Sequence, residues 1–122
     1  MIFVTVDSCR PQLERLTQIL VSAFPGSTIY QHTDLVHVPH DVLTHKVDAV
    51  LLGDEMEKKN SLALIKNLRR QKPDLPVFII SKADRLYENA VAAGADGYFV
   101  LPGSEQQLLD AIRLAKNREN LS

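Results

Sequence analysis

Side chains that could take part in chemistry occur in four short segments, and each segment directly follows a stretch that is predicted to be a β-strand. The segments are Asp7-Ser8, Gly53-Asp54-Glu55, Ser81-Lys82 and Leu101-Pro102. In a parallel sheet with helices on both faces, the functional crevice lies beyond the carboxyl ends of the strands. Carboxylates there would be ligands for a hard cation such as Mg²⁺, whereas a neutral serine is a poor ligand. These four segments therefore form the candidate site.

Five strands alternating with five helices are predicted to position these segments. Apolar, β-branched runs predict strands at residues 2–6, 49–52, 77–80 and 98–100, with a weaker strand at 27–32. Helices are predicted from Pro11, near Pro39, over 61–70, over 84–93 and from Ser104, and Val42 and Leu43 are the expected core contacts of the helix near Pro39. This alternation indicates one α/β domain over residues 1–122 with a parallel sheet, and the polar tail 117–122 is expected to fray.

Composition and charge exclude several functions. A chain of 122 residues with a net charge of −1 is long enough for one packed core and offers no electrostatic case for binding nucleic acid or an anionic membrane. The single cysteine, Cys9, cannot form an internal disulfide, and no apolar segment is long enough for a signal peptide or a membrane span. We therefore expect a cytoplasmic protein.

One segment carries a recognisable motif. Residues 47–62 read Val-Asp-Ala-Val-Leu-Leu-Gly-Asp-Glu-Met-Glu-Lys-Lys-Asn-Ser-Leu. They resemble the phosphorylation loop of CheY-like response-regulator receiver domains, D-x-V-x-L-D-x-x-M-P-x-x-D/N-G-L, and the ungapped match places the phosphoacceptor position at Gly53. Residues 94–98, Gly-Ala-Asp-Gly-Tyr, are similar to the segment that precedes the family's lysine-proline pair, and Asp54-Glu55-Met56 resembles the loop of LytTR-linked receivers. The resemblance implies a flavodoxin-like doubly wound fold with strand order 2-1-3-4-5.

The resemblance also implies which residues would perform phosphoryl transfer. The family's reaction needs a nucleophilic carboxylate, acids that hold Mg²⁺, a cation and a hydroxyl. Asp7, Ser81 and the aromatic switch residue Tyr98 keep the family's residue types. The second acid is replaced by Ser8, the nucleophile by Gly53 and the lysine by Leu101. The chain therefore looks like a degenerate receiver, or pseudo-receiver, with no catalysis and no cofactor, in which Mg²⁺ binding is lost or weak and Asp7 is at most a weak metal ligand.

Two other functions are weighed against this reading. The first is an active receiver that uses Asp54 as its acceptor and a sensor histidine kinase as its phosphodonor. Strand alternation argues against it, because neighbouring side chains point to opposite faces of a sheet. The second is a nucleotide binder or small-molecule enzyme, which the absence of glycine from residues 7–11 disfavours. A zinc site among His37, His40 and His45 is disfavoured by the intervening Pro39.

The resemblance places a protein-interaction surface on the fourth helix, the fifth strand and the fifth helix. Residues expected to form this face are Arg85, Tyr87, Glu88, Tyr98 and Arg113. Its partner would be another signalling protein, an attached output domain or a second copy of the chain. In the vestigial pocket, Leu101 is expected to pack over the space that Gly53 leaves empty.

Overall fold

The chain's strands form one parallel sheet in the computed structural model, which describes residues 1–53, 58–81 and 94–121. The strands are β1 (Ile2–Val6), β2 (Thr28–His32), β3 (Ala49–Gly53), β4 (Val77–Ser81) and β5 (Gly97–Val100). Their order is β2-β1-β3-β4-β5, and every neighbouring pair is parallel. The predicted flavodoxin-like α/β fold with strand order 2-1-3-4-5 is confirmed.

Four helices are described: α1 (Arg10–Ala23), α2 (Val38–Thr44), α3 (Lys58–Gln71) and α4 (Glu105–Leu121). The helix predicted over residues 84–93 lies outside the described residues. Proline occupies the first turn of both α1 and α2, where its missing N–H costs no intrahelical bond. Among the described residues, no helix has the length and apolar character needed to cross a membrane.

The sheet separates two apolar cores. One, which we call the α1/α4 core, contains Phe3, Leu51, Phe78 and Ile80 from the strands, Leu16 and Leu20 from α1, and Leu101, Leu108 and Ile112 from the chain's last part. The other, the α2/α3 core, contains Val4, Val6, Val50, Leu52 and Ile79 from the strands, Val38 and Val42 from α2, and Ile65 and Leu68 from α3. Alternate residues of each strand serve opposite cores, as the two-residue period of a β-strand requires.

Three details differ from the sequence prediction. Val42 is buried as expected, but Leu43 is 62% exposed, because α2 turns its next residue away from the sheet. Helix α3 begins at Lys58 rather than near Ser61. Helix α4 continues to Leu121, so residues 117–121 extend the helix instead of forming the frayed tail that their polar composition predicted.

Two polar clamps close the amino-terminal edge of the sheet. Asp48 accepts hydrogen bonds from the Ile2 N–H at 2.7 Å and from Lys116 Nζ at 2.9 Å, which ties α4 to β1 and β3. Burial alone would raise the pKa of Asp48. The hydrogen bonds from Lys116 and Ile2, with the positive charges of Lys116 and the N-terminus, outweigh that effect and hold this pKa below its ordinary value of 3.8.

The second clamp is centred on Arg69. Its guanidinium donates to the carbonyl oxygens of Pro73, Leu75 and Gly94 and pairs with the carboxylate of Asp96 at 2.6 Å. The same carboxylate accepts the Val77 N–H at 2.8 Å. Arg69 therefore fixes the end of α3 against the segments that enter β4 and β5.

We predict that Asp48→Asn lowers the free energy of unfolding by about 1–3 kcal/mol near neutral pH, because a nearly buried hydrogen-bonded carboxylate loses its charge. Since the folded-state pKa is lowered, this contribution is complete above pH 3.8 and disappears as the pH falls through the folded-state pKa. Urea denaturation of both proteins over a pH series measures the difference.

Asp110→Asn is the matched control. Asp110 forms an i,i+3 pair with Arg113 on the surface of α4, where its side chain is 64% exposed, and we expect a change of about 0.5 kcal/mol or less. Two results would contradict the role given to the Asp48 clamp. One is an equal loss of unfolding free energy in both variants, and the other is a loss in Asp48→Asn that becomes larger as the pH falls.

Candidate functional site

The carboxyl edge of the sheet brings four of the predicted site residues to the ends of neighbouring strands. Asp7 follows β1, Gly53 ends β3, Ser81 ends β4 and Leu101 follows β5. Gly53 pairs in register with Ile80 of β4, so it lies on the sheet face of the α1/α4 core. The predicted register, in which residue 53 is the position that faces this crevice, is the register of the structure.

Asp7 occupies the space in which a side chain of residue 53 would begin. A Cβ atom built on Gly53 would lie 2.3 Å from Asp7 Oδ2, 2.4 Å from Asp7 Cγ and 2.9 Å from Asp7 Cβ. These separations are far shorter than van der Waals contacts, so no residue larger than glycine fits unless Asp7 moves. The Asp7 carboxylate lies over the glycine, at the position where the motif match places the acceptor.

Local hydrogen bonds hold Asp7 in this place. The Asp7 N–H donates to the carbonyl oxygen of His32 at 3.1 Å, which extends the β1–β2 ladder by one residue. Its Oδ1 accepts a hydrogen bond from the backbone N–H of Cys9 at 2.9 Å. This is an Asx-turn, in which an aspartate side chain bonds to the backbone two residues further along the chain. Asp7 is only 3% exposed, so it is packed into this edge of the sheet.

That Leu101 packs over Gly53 stays a prediction from the sequence. The three atoms nearest to a Cβ on Gly53 all belong to Asp7. Leu101 is fully buried in the α1/α4 core, where it packs with Leu108 and Ile112, and its N–H donates to the carbonyl oxygen of Ser81 at 2.8 Å. An apolar side chain at this position gains more from the core than from the polar crevice. The peptide bond between Leu101 and Pro102 is cis.

The described residues at this edge do not fit a Mg²⁺ site. They supply one carboxylate, Asp7, whose Oδ1 already accepts a backbone hydrogen bond. Ser8 is exposed and Gly53 has no side chain. Mg²⁺ requires near-octahedral oxygen coordination, usually with carboxylate ligands. Across residues 1–53, 58–81 and 94–121, no group of three or more His, Cys, Asp and Glu side chains is arranged to hold a metal ion.

Two buried polar groups near this edge were missed by the sequence analysis. Thr5 lies on the same side of β1 as Asp7, and Gln12 lies one turn before Leu16 on the buried side of α1. Within the described part of the chain, Thr5 Oγ1 and Gln12 Nε2 have no hydrogen-bond partner. The signal was present in the sequence, because Gln12 interrupts the apolar spacing that continues through Leu16 and Leu20.

The predicted interaction face is only partly described. Tyr98 is half-buried and packs against the α2/α3 core. Arg113 lies over the ring of Phe24 at 5.4 Å and pairs with Asp110 at 3.4 Å, so its contacts are with α4 itself and with the end of α1. A face shared by Arg113 and Tyr98 stays a prediction. Arg85, Tyr87, Glu88 and the alternative acceptor Asp54 lie outside the described residues.

Two of the histidines weighed for a zinc site, His37 and His45, lie along the edge formed by β2 and α2. The ring of His32, at the end of β2, is hydrogen-bonded through Nε2 to the carboxylate of Asp41 of α2 and lies 5.6 Å from the ring of His37. His45 is stacked on Tyr30 with ring centroids 4.4 Å apart. These contacts join β2 to α2 and belong to the packing of this edge.

Comparison with known proteins agrees with the geometry. Residues 3–113 match the family described as the response regulator receiver domain. Response regulator MprA of Mycobacterium ulcerans (strain Agy99) is 28% identical over 120 residues, which cover 97% of this chain and 51% of that protein. The glycerol metabolism activator of Pseudomonas putida is 29% identical over 111 residues, 85% of this chain and 48% of that protein. The chain therefore spans about half the length of the curated relatives it matches.

Solved structures show the same fold. The signal receiver domain of an HD domain-containing protein from Pseudomonas fluorescens Pf-5 superposes with a TM-score of 0.83 at 23% identity, covering 99% of this chain and 98% of that one. A putative pilus assembly-related protein from Burkholderia pseudomallei K96243 superposes with a TM-score of 0.79 at 16% identity, covering 94% of this chain and 88% of that one. At these identities the likeness concerns the fold alone.

We predict that Gly53→Ala destabilises the protein by about 1–3 kcal/mol, because the new methyl group overlaps the Asp7 side chain. In an Asp7→Ala background the cost should fall by at least about 1 kcal/mol, since two of the three close atoms are removed. Urea denaturation of the four proteins in this double-mutant cycle measures the coupling.

Ser8→Ala gives the matched control, because Ser8 is the exposed neighbour of Asp7. Its effect should add to that of Gly53→Ala within about 0.5 kcal/mol. Additive effects of Gly53→Ala and Asp7→Ala would show that Asp7 does not occupy the space over Gly53.

Proposed function

Because the chain belongs to the response regulator receiver domain family, we propose that it acts in two-component signal transduction as a degenerate receiver that signals without being phosphorylated. It is a cytoplasmic protein-interaction module with no enzymatic activity and no cofactor. The observation that carries this proposal is the Asp7 carboxylate in the space over Gly53. A domain that uses this position to accept a phosphoryl group needs a side chain there, and Gly53 has none.

The other chemical positions support the same proposal. Phosphoryl transfer in this geometry depends on positioning and charge neutralisation, which need a metal and a cation next to the phosphoryl group. Ser8 provides no charge, and Leu101 is buried in an apolar core where a charged group would be costly. The three substitutions together remove the nucleophile, one metal ligand and the cation.

The alternative is phosphorylation of Asp54 by a sensor histidine kinase. Two features favour it: Asp54 is the first acid after β3, and Ser81 keeps the hydroxyl that the family resemblance implies at the end of β4. Asp54 follows Gly53 directly, and on a continuing strand its side chain would point away from the face of Asp7. The alternative therefore requires a loop that differs from the family's usual one.

The partner remains a matter of proposal. The curated relatives are about twice as long as this chain, so an attached output domain is one candidate, and a separate signalling protein or a second copy of the chain are the others. The similarity of residues 54–56 to LytTR-linked receivers remains a prediction from the sequence. Tyr98 and residues 85–88 would belong to the interaction face that the family resemblance implies.

We predict that the protein gains no phosphoryl group when it is incubated with Mg²⁺ and a small acyl phosphate donor, because Gly53 supplies no acceptor side chain at the family's acceptor position. Intact-mass spectrometry measures the product. An active receiver domain with an aspartate acceptor, treated in the same tube, shows that the donor is competent.

Asp54→Asn is the matched variant. We expect it to give the same mass spectrum as the unchanged protein. A Mg²⁺-dependent gain of one phosphoryl group that is lost in Asp54→Asn would establish the alternative and refute the degenerate receiver. A gain that persists in Asp54→Asn and is lost in Asp7→Asn would refute it as well.

A further inference from the structure

A groove of about 760 Å³ lies at the amino-terminal edge of the sheet, at the opposite end from the vestigial pocket. Segments from α2, α3, α4 and the starts of β3, β4 and β5 surround it. Its apolar lining includes Val42, Val47, Leu75 and Leu114. Leu114 is 53% exposed, so its side chain is available for contact. The groove has the size of a specific ligand site rather than of a packing defect.

The two polar clamps make the walls of this groove rigid. The Lys116–Asp48 pair holds α4 against the start of β3, and Arg69 binds the turn after α3 through the carbonyl oxygens of Pro73 and Leu75. A site whose walls are fixed before binding loses less entropy when a ligand arrives. The groove is therefore preformed.

The charges around the groove are unequally paired. Two of its acids are already neutralised by the clamps, Asp48 by Lys116 and Asp96 by Arg69. One further acid, Asp74, is exposed at the rim. Three exposed cations also line the groove, and none of them has an ion-pair partner in the described part of the chain: Lys46, Lys72 and Arg118. This leaves the rim with an excess of two positive charges over an apolar floor.

We propose that this groove binds an acidic peptide segment of a protein partner that also carries apolar side chains. The assignment rests on the proposed interaction function, for which it names a second surface besides the one the family resemblance implies. Apolar side chains of the segment contact Val47 and Leu114, and its carboxylates lie near the three cations. Complementary charge at a rim mainly sets specificity and association rate, while the apolar contacts supply affinity.

The placement of the cations favours a peptide over a small anion. Lys46 lies in the connection from α2 to β3, Lys72 directly after α3, and Arg118 in the last part of α4. These are three separate parts of the chain around one groove. A single carboxylate or phosphate pairs with one of them, whereas an extended segment with several acidic residues can pair with all three while its apolar residues cover the floor.

Amide chemical shifts of the ¹⁵N-labelled protein test this proposal. The probe is a pool of short peptides in which every position is either Glu or Leu, so that many spacings are sampled, and a Lys–Leu pool is its counterpart. We expect the Glu–Leu pool to shift the amides of Val47, Leu114 and Ala115, to leave those of Asp7 and Gly53 in place, and to bind more weakly at high salt.

Charge reversal supplies the matched variants. The triple variant Lys46→Glu, Lys72→Glu and Arg118→Glu should bind the Glu–Leu pool about tenfold more weakly or worse. The control is Arg10→Glu, Arg15→Glu and Lys66→Glu, which reverses three exposed cations outside the groove and should bind like the unchanged protein. Amide spectra of both variants verify that they are folded.

Three results would overturn the proposal: no shifts in the groove with the Glu–Leu pool, equal losses in the two triple variants, or equal binding of the Lys–Leu pool. Saturating shifts at the same amides with inorganic phosphate or succinate at equal concentration would assign the groove to small anions and refute the peptide. No phosphodonor is present, so these outcomes are independent of the phosphotransfer test. If the groove binds no peptide, the degenerate-receiver proposal is unaffected. If Asp54 is phosphorylated, the peptide measurement at the groove is still valid.

Discussion

The carboxyl edge of the sheet in this receiver domain has one steric constraint: the Asp7 carboxylate, where it lies, and a side chain at residue 53 cannot occupy the same space. A Cβ at that position would lie 2.3 Å from Asp7 Oδ2. The constraint joins the ends of β1 and β3, because the Cys9 N–H and the His32 carbonyl oxygen hold Asp7 from the other side. Gly53 is therefore part of a packed arrangement with Asp7.

The two ends of the sheet have different kinds of polar structure. At the carboxyl end, Leu101 is fully buried in the α1/α4 core. Two buried polar groups there, Thr5 Oγ1 and Gln12 Nε2, lack hydrogen-bond partners among the described residues. At the amino-terminal end, Asp48 and Arg69 make multiple charge-assisted hydrogen bonds that connect helices to strands. Such bonds are roughly twice as strong as neutral ones. The polar contacts that join helices to strands thus lie at the amino-terminal edge of the sheet, opposite the carboxyl edge that carries the candidate site.

The fold could be predicted from the sequence because β3 and β4 are almost entirely apolar and alternate with amphipathic helices, a pattern that admits few architectures. The register at Gly53 could be predicted too, since strand periodicity allows no slip without exposing Leu51 or Leu52. The neighbour of Gly53 could not, because it depends on the side-chain direction of Asp7 on another strand. The exposure of Leu43 depends on how α2 is rotated about its axis. The sequence of a seven-residue helix with a proline in its first turn does not determine that rotation.

The most direct measurement of the central claim is a high-resolution crystal structure of the domain grown with Mg²⁺ and beryllofluoride, a mimic of the phosphoryl group. We expect the Asp7 carboxylate to remain packed over Gly53, with neither ion bound at the carboxyl edge of the sheet. A Mg²⁺ ion coordinated by Asp7, with beryllofluoride on the carboxylate of Asp54, would contradict the account.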